Sequence, residues 1–173
     1  NRTAYSIPDL SSQPADSEKS VQDLDLSMAL RSLRFWLLCL VNLMVVSCLL
    51  SILVHIVPHG RDIGISQHRA ASVLSTIGGV SMAGRFITVI IIDRIGSKRS
   101  MILSFVVLIT AFTWLQVADS LWGLYLFAVI YGFAHGGIFT VISPIVAEFF
   151  GTRSHGTLFG IVVFFGTTGG AIG

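Results

Sequence analysis

Gly84-Arg85-Phe86-Ile87-Thr88-Val89-Ile90-Ile91-Ile92-Asp93-Arg94-Ile95-Gly96-Ser97-Lys98-Arg99 is the stretch on which the fold turns. It starts inside an apolar run and ends in a charged turn, so it reads as the edge of a bilayer-spanning helix. One cation, Arg85, lies within the apolar part. It precedes Asp93 by eight residues, about 12 Å of helix rise, which sets its Cα well below the interface. A permanent cation at that depth costs about 2.5–3.5 kcal/mol on insertion scales, so it is expected to face a bundle interior and meet a partner there.

The rest of the chain agrees with a bilayer protein. Of 173 residues, 53% are hydrophobic and only 12% charged, and the mean hydropathy is +0.82. The charged share is about half that of an ordinary soluble domain. A net charge of +2, with its cations dispersed, gives no nucleic-acid footprint. Cys39 and Cys48 are nine residues apart in one predicted helix, about 180° apart around its axis, and cannot bridge each other.

Five apolar runs follow a polar start, at approximately 35–57, 70–92, 100–118, 122–146 and 156–173. The first four have the roughly 20 residues that cross a hydrocarbon core; the last is expected to be cut off. The chain lacks an initial Met and reads as a piece of a longer protein. Residues 1–30, rich in Ser, Asp, Gln and Pro, read as a flexible cytoplasmic linker, with 31–173 as a partial transmembrane domain. The start carries no apolar signal region, and Asn1-Arg2-Thr3 is a glycosylation sequon that this topology places on the cytoplasmic side. Pro58-His59-Gly60-Arg61-Asp62 reads as part of a longer loop. The other connections are short, which makes successive helices antiparallel neighbours.

Lys and Arg gather on one side. Arg31, Arg34, Arg94, Lys98, Arg99 and Arg153 fall there, while Arg61 and Arg69 fall on the other. The excess marks the cytoplasmic face, so the amino terminus, the basic turn and the Glu148–Arg153 loop are expected to be cytoplasmic. Trp36 near one interface, and Trp114, Trp122 and Tyr125 near the other, fit aromatic belts.

Glycines recur four apart at Gly132/Gly136, Gly156/Gly160, Gly166/Gly170 and Gly169/Gly173, a spacing that aligns small residues on one helix face for close approach. Tight packing of the last two helices is expected, whether the glycines serve packing alone or line a solute path. Pro144 removes a backbone hydrogen bond near the end of the fourth run and is expected to bend it, either as a gate or as a fixed kink.

At helical spacing Gly78, Ser81, Arg85 and Thr88 share a stripe. Three roles for Arg85 stay open: counter-ion for a substrate, structural partner of an acid elsewhere in the protein, or a side chain that snorkels outward. Guanidinium suits a carboxylate, since its planar donors pair with it two-pronged and it keeps its charge. No acid in this sequence is placed to neutralise it: Asp93 and Glu148 belong to cytoplasmic turns and Asp119 to the opposite side. His135, between Gly132 and Gly136, can carry a proton, touch substrate, or make an interhelical hydrogen bond. The other histidines lie at helix ends or loops without metal spacing. No nucleophile and base pair, phosphate loop or nucleotide fingerprint occurs, so neither enzyme activity nor a cofactor or metal is expected.

Gly84-Arg85 with Asp93-Arg94-Ile95-Gly96-Ser97-Lys98-Arg99 resembles the cytoplasmic loop motif of the major facilitator superfamily, and more narrowly its monocarboxylate and oxalate/formate transporter branch. Ser27-Met28-Ala29-Leu30-Arg31 leading to Phe35-Trp36-Leu37-Leu38 resembles the entry to the seventh helix. Tyr131 to Gly137 and Phe150-Gly151 to His155-Gly156 resemble the tenth helix and the approach to the eleventh. The resemblance covers about residues 26–173 and implies an all-α polytopic bundle, part of the carboxyl-terminal half, with an amino-terminal six-helix half and a final helix as missing partners. Val89 stands where the loop motif usually has glycine. Ser81 stands where animal monocarboxylate carriers have an aspartate one turn before the membrane arginine, which points away from proton coupling through an Arg/Asp pair and toward a plain anion site or antiport.

The resemblance implies a secondary active transporter of a small organic anion, a monocarboxylate or dicarboxylate, in a plasma or bacterial inner membrane, with a coupled proton or counter-anion. Arg85, Ser81 and His135 are its candidate substrate residues. Asp93, Arg94, Gly96, Lys98 and Arg99 are its candidate conformational latch against the other half, beside a plainer role as a topogenic turn. The rivals are a neutral-solute or drug carrier that keeps Arg85 for structure, and a non-transporting receptor or assembly protein on the same bundle.

Overall fold

A computed structural model describes residues 26–173; residues 1–25, including Asn1-Arg2-Thr3 and most of the expected linker, lie outside the described residues. The described residues contain no strand. Five helices, α1 (Leu33–Asp62), α2 (Gln67–Ile95), α3 (Ser97–Leu115), α4 (Leu121–Phe150) and α5 (His155–Ile172), are each long and apolar enough to cross a membrane.

Residues 26–31 are helical as well and belong to the bundle rather than to the linker. Leu26, Ala29 and Leu30, at i, i+3 and i+4, pack on the core, which is the spacing that puts apolar side chains on one helix face. Trp36 Nε1 donates to the Leu30 carbonyl at 2.8 Å and ties this segment to α1.

The stretch 58–62, expected as loop, is helix: α1 continues through Pro58 to Asp62. Gly60 allows it, because it lies against Ala70 of α2, whose Cβ is 3.0 Å from where a Gly60 side chain would start. The chain then turns at Gly64, with φ +84°. The basic turn is shorter than it reads. Asp93 and Arg94 finish α2, Ser97, Lys98 and Arg99 begin α3, and Gly96 alone, at φ +85°, separates the two helices. A side chain is strained there and glycine is not. At its far end α3 stops at Leu115, before the expected 118, in turns at Val117 and Ala118. α4 runs unbroken past Pro144 to Phe150.

α4 is the axis of the molecule, with over half of its apolar window buried against 22% in each other span. It lies on α2 and α3, and α5 lies on α1, while α4 and α5 touch only slightly. The last two helices are both closely approached, but by α2 and α1 rather than by one another. Spacing shows that a helix is approached closely, not by which neighbour. Gly132 and Gly136 of α4 sit against the Ile77 and Ser81 backbone of α2, Gly166 and Gly169 of α5 sit against Asn42 and Leu43 of α1, and Gly156 and Gly160 face nothing within 4 Å.

Candidate functional site

The α2–α4 seam brings the candidate residues together. Gly84 accepts Phe133 of α4 against its backbone, with the Phe133 carbonyl 3.0 Å from where a Cβ would stand, and Gly136 lets α4 touch the backbone of α2 at Ser81 and Arg85. Bulkier residues at either glycine would push the helices apart. In this gap Ser81 Oγ and His135 Nδ1 form a hydrogen bond of 2.9 Å. The His135 ring lies between Phe139, at 5.0 Å between centroids, and Tyr131, at 6.0 Å. Either tautomer leaves Nε2, which is buried, without a hydrogen-bond partner, a state that costs about 1–3 kcal/mol unless something else supplies the bond.

Arg85 is one turn from Ser81, and its backbone N lies 3.2 Å from where a Cβ on Gly136 would stand, next to His135 in α4. The expected stripe is split. Ser81 and Thr88 are buried toward α4, whereas Gly78 and Arg85 are exposed on the flank of α2. No hydrogen bond or ion pair holds Arg85 among the described residues. Ser81 and His135 are thus bonded in the seam, and Arg85, whose backbone lies against Gly136 at the same level, is exposed beside them.

Below this, Thr88 and Ser104 bring their hydroxyls to Gly137, 3.2 and 2.7 Å from where its Cβ would be. Ser104 Oγ donates to the Ser100 carbonyl and Ser100 Oγ to the Gly96 carbonyl, so the polar seam reaches the turn. There Lys98 Nζ lies 3.1 Å from Glu148 Oε1 and 4.9 Å from the Phe149 ring centre. Asp93, Arg94 and Arg99 form no hydrogen bond or ion pair among the described residues.

Several contacts escape a reading of the sequence. Asn42 of α1, only 6% exposed, donates from Nδ2 to the Val162 carbonyl of α5 at 2.8 Å. Tyr131 donates to the Leu49 carbonyl of α1 at 2.5 Å. Ser143 Oγ and His155 Nε2 meet at 3.2 Å. An amide in an apolar helix is itself a signal of interhelical bonding, so Asn42 was discoverable, though its partner was not. Beside Asn42 a hollow of about 90 Å³, with an almost wholly apolar lining that includes Val46, Ile142 and Val163, shares Phe139 with the His135 site.

No curated protein sequence matches the chain. The sequence model of the Major Facilitator Superfamily does, over residues 7–173. With five membrane-length helices packed around α4 and a glycine-hinged charged turn between α2 and α3, the chain belongs to the major facilitator superfamily.

Proposed function

We propose that this membrane transporter is a secondary active carrier that moves a small organic anion, a monocarboxylate or dicarboxylate, by alternating access. The observation that carries the reading is an exposed Arg85 with no acid paired to it among the described residues, one turn from a bonded Ser81–His135 pair whose buried Nε2 lacks a partner. A carboxylate set there takes two parallel bonds from the guanidinium. His135 Nε2 is the natural second contact, for the anion or for a coupled proton, and Ser81 holds the ring for it. A counter-anion exchanged at Arg85 serves equally well as the coupled species. Repeated halves rocking about a midplane site supply the cycle, with the amino-terminal six-helix half and a final helix completing the carboxyl-terminal half formed here.

Asp93, Arg94, Gly96, Lys98 and Arg99 act in this reading as the latch. Three of their four charges oppose helix stability, Asp93 at the carboxyl end of α2 and Lys98 and Arg99 at the amino end of α3, while Arg94 in the last turn of α2 favours it. A helix dipole disfavours each of the three by about 0.3–1 kcal/mol, so the pattern answers to something outside these helices. The amino terminus and the latch face the cytoplasm, at a plasma or bacterial inner membrane. The narrower kinship is with monocarboxylate and oxalate/formate carriers, as the Gly84-Arg85 and 93–99 pattern suggests.

The apolar hollow beside Asn42 favours a second reading, a carrier of neutral or drug-like solutes. Uptake of lactate, pyruvate, oxalate and formate by Arg85→Ala and Arg85→Lys variants, measured beside surface expression, separates the two. Loss of a charge-assisted pair of about 1.5–3 kcal/mol lowers anion uptake by Arg85→Ala roughly tenfold to a hundredfold, with Arg85→Lys between. Unchanged anion uptake in Arg85→Ala removes the anchor and leaves the neutral-solute reading.

A further inference from the structure

A cleft opens where the helical segment 26–31 meets the end of α4. Its volume is about 270 Å³, and its walls are Met28, Ala29, Ser32, Arg34, Phe149 and Phe150. We propose that it binds an anionic phospholipid, with the headgroup phosphate on Arg34 and the glycerol and upper acyl chain against Phe149 and Phe150.

Position comes first. The cleft is at the end of the bundle that holds the α2–α3 turn, because Lys98 of that turn reaches Glu148 and Phe149, and Phe35 of α1 packs edge-on against Phe150 at 5.5 Å. Trp36, bonded through Nε1 to Leu30, stands beside it, and an indole with one polar edge is at home at headgroup level. The cleft is therefore at the bilayer surface, where phospholipid is the most abundant amphiphile.

Charge selects the headgroup. Arg34 and Arg31 are exposed, and neither side chain has a hydrogen bond or ion pair among the described residues. Glu148, next to the cleft residue Phe149, is taken up by Lys98 at 3.1 Å, and among the described residues no ion pair reaches Arg34. Among the described residues this end carries Arg31, Arg34, Arg94, Lys98, Arg99 and Arg153 against Asp93 and Glu148. Basic pockets between membrane helices are the usual seat of anionic headgroups, and the planar guanidinium fork matches phosphate oxygens. The walls then select a lipid over a soluble phosphate: a polar rim at Ser32 and Arg34 passes directly into Met28 and two aromatic rings, which a free anion leaves unused. None of these residues belongs to the proposed solute site, so the lipid acts on the entry to α1 and on the neighbouring latch, not on the cargo.

The test is photocrosslinking of the whole protein in nanodiscs, with a phosphatidylglycerol probe and a phosphatidylcholine probe that carry the same photoreactive group, followed by mapping of the labelled peptides. The phosphatidylglycerol probe labels peptides containing 28–34 and 149–150 several-fold above its phosphatidylcholine counterpart, Arg34→Gln removes most of that excess, and Arg34→Lys keeps part of it. Equal labelling by both probes, labelling spread evenly around the bundle, or unchanged labelling in Arg34→Gln with normal thermal unfolding each overturns the proposal. So does a several-fold rise in labelling when residues 1–25 are deleted, since the acidic stretch of that segment is then the occupant.

Discussion

Ser81 Oγ and His135 Nδ1 are 2.9 Å apart across the α2–α4 seam, and this single bond fixes which imidazole nitrogen is left without a partner. Rotation of the ring would exchange Nδ1 and Nε2, and the serine is what distinguishes them. Ser81→Ala leaves both nitrogens without partners in a site where Ser81 is only 5% exposed. The cost expected is about 1–3 kcal/mol, read as a lower thermal unfolding temperature in nanodiscs. Uptake falls further than stability alone explains, because the ring is no longer oriented. Wild-type uptake and stability in Ser81→Ala together would show that the bond orients nothing.

Glycine substitutions separate packing from open faces. At Gly136 an added methyl overlaps the Ser81 carbonyl, whereas at Gly160 it meets nothing within 4 Å. Overpacking costs about 1–3 kcal/mol, and alanine in an unhindered helix position gains up to about 1 kcal/mol over glycine. Gly136→Ala is therefore destabilising and Gly160→Ala neutral or stabilising when thermal unfolding is compared in the same nanodiscs. The reverse order would mean that α2 and α4 do not meet as described.

These two glycines also mark the limit of what was legible in the sequence. Hydropathy gave five spans, because the bilayer imposes length and composition on each helix separately. It missed the helix over 58–62, since proline and charge at a helix end read locally as a loop while Gly60 packing on Ala70 is a tertiary contact. The spacing of Gly132 and Gly136 is shared with Gly156 and Gly160, yet only the first pair is covered. Arg85 stands out from any apolar neighbourhood, and Ser81 and His135 were singled out separately. Their bond joins residues 54 positions apart, and no periodicity within one helix encodes a partner on another. The same holds for Asn42 with Val162 and Tyr131 with Leu49.

Lys98 and Glu148 form an exposed pair, with side chains 58% and 40% accessible. A bond of that kind is worth about 0.2–1 kcal/mol and weakens with salt. A double-mutant cycle with Lys98→Ala and Glu148→Ala is expected to return a coupling in that range, falling as ionic strength rises. If the pair also competes with the proposed latch, Glu148→Ala frees Lys98 and changes the balance of transport states by more than it changes stability. Accessibility labelling of cysteines placed on either side of the membrane reads that balance, and identical labelling in Glu148→Ala and wild type would confine the pair to local structure.

Asn42 and Gly166 give a prediction in which one defect repairs another. A methyl on Gly166 would come within 2.5 Å of Asn42 Nδ2 and 3.3 Å of Val46 Cγ2, and Asn42 cannot simply swing aside without breaking its bond to the Val162 carbonyl. Gly166→Ala alone therefore costs the overpacking, about 1–3 kcal/mol. Asn42→Ala alone loses one interhelical bond of about 0.6 kcal/mol on membrane double-mutant averages, together with some packing beside the hollow. In the double variant the new methyl occupies space that the amide has vacated, so the two losses do not add. Residues in direct contact deviate from additivity by about 0.5–3 kcal/mol, and here the sign is fixed: the double variant unfolds at a higher temperature than additivity allows. Strict additivity would place Gly166 away from Asn42 and break the α1–α5 contact on which that side of the bundle depends.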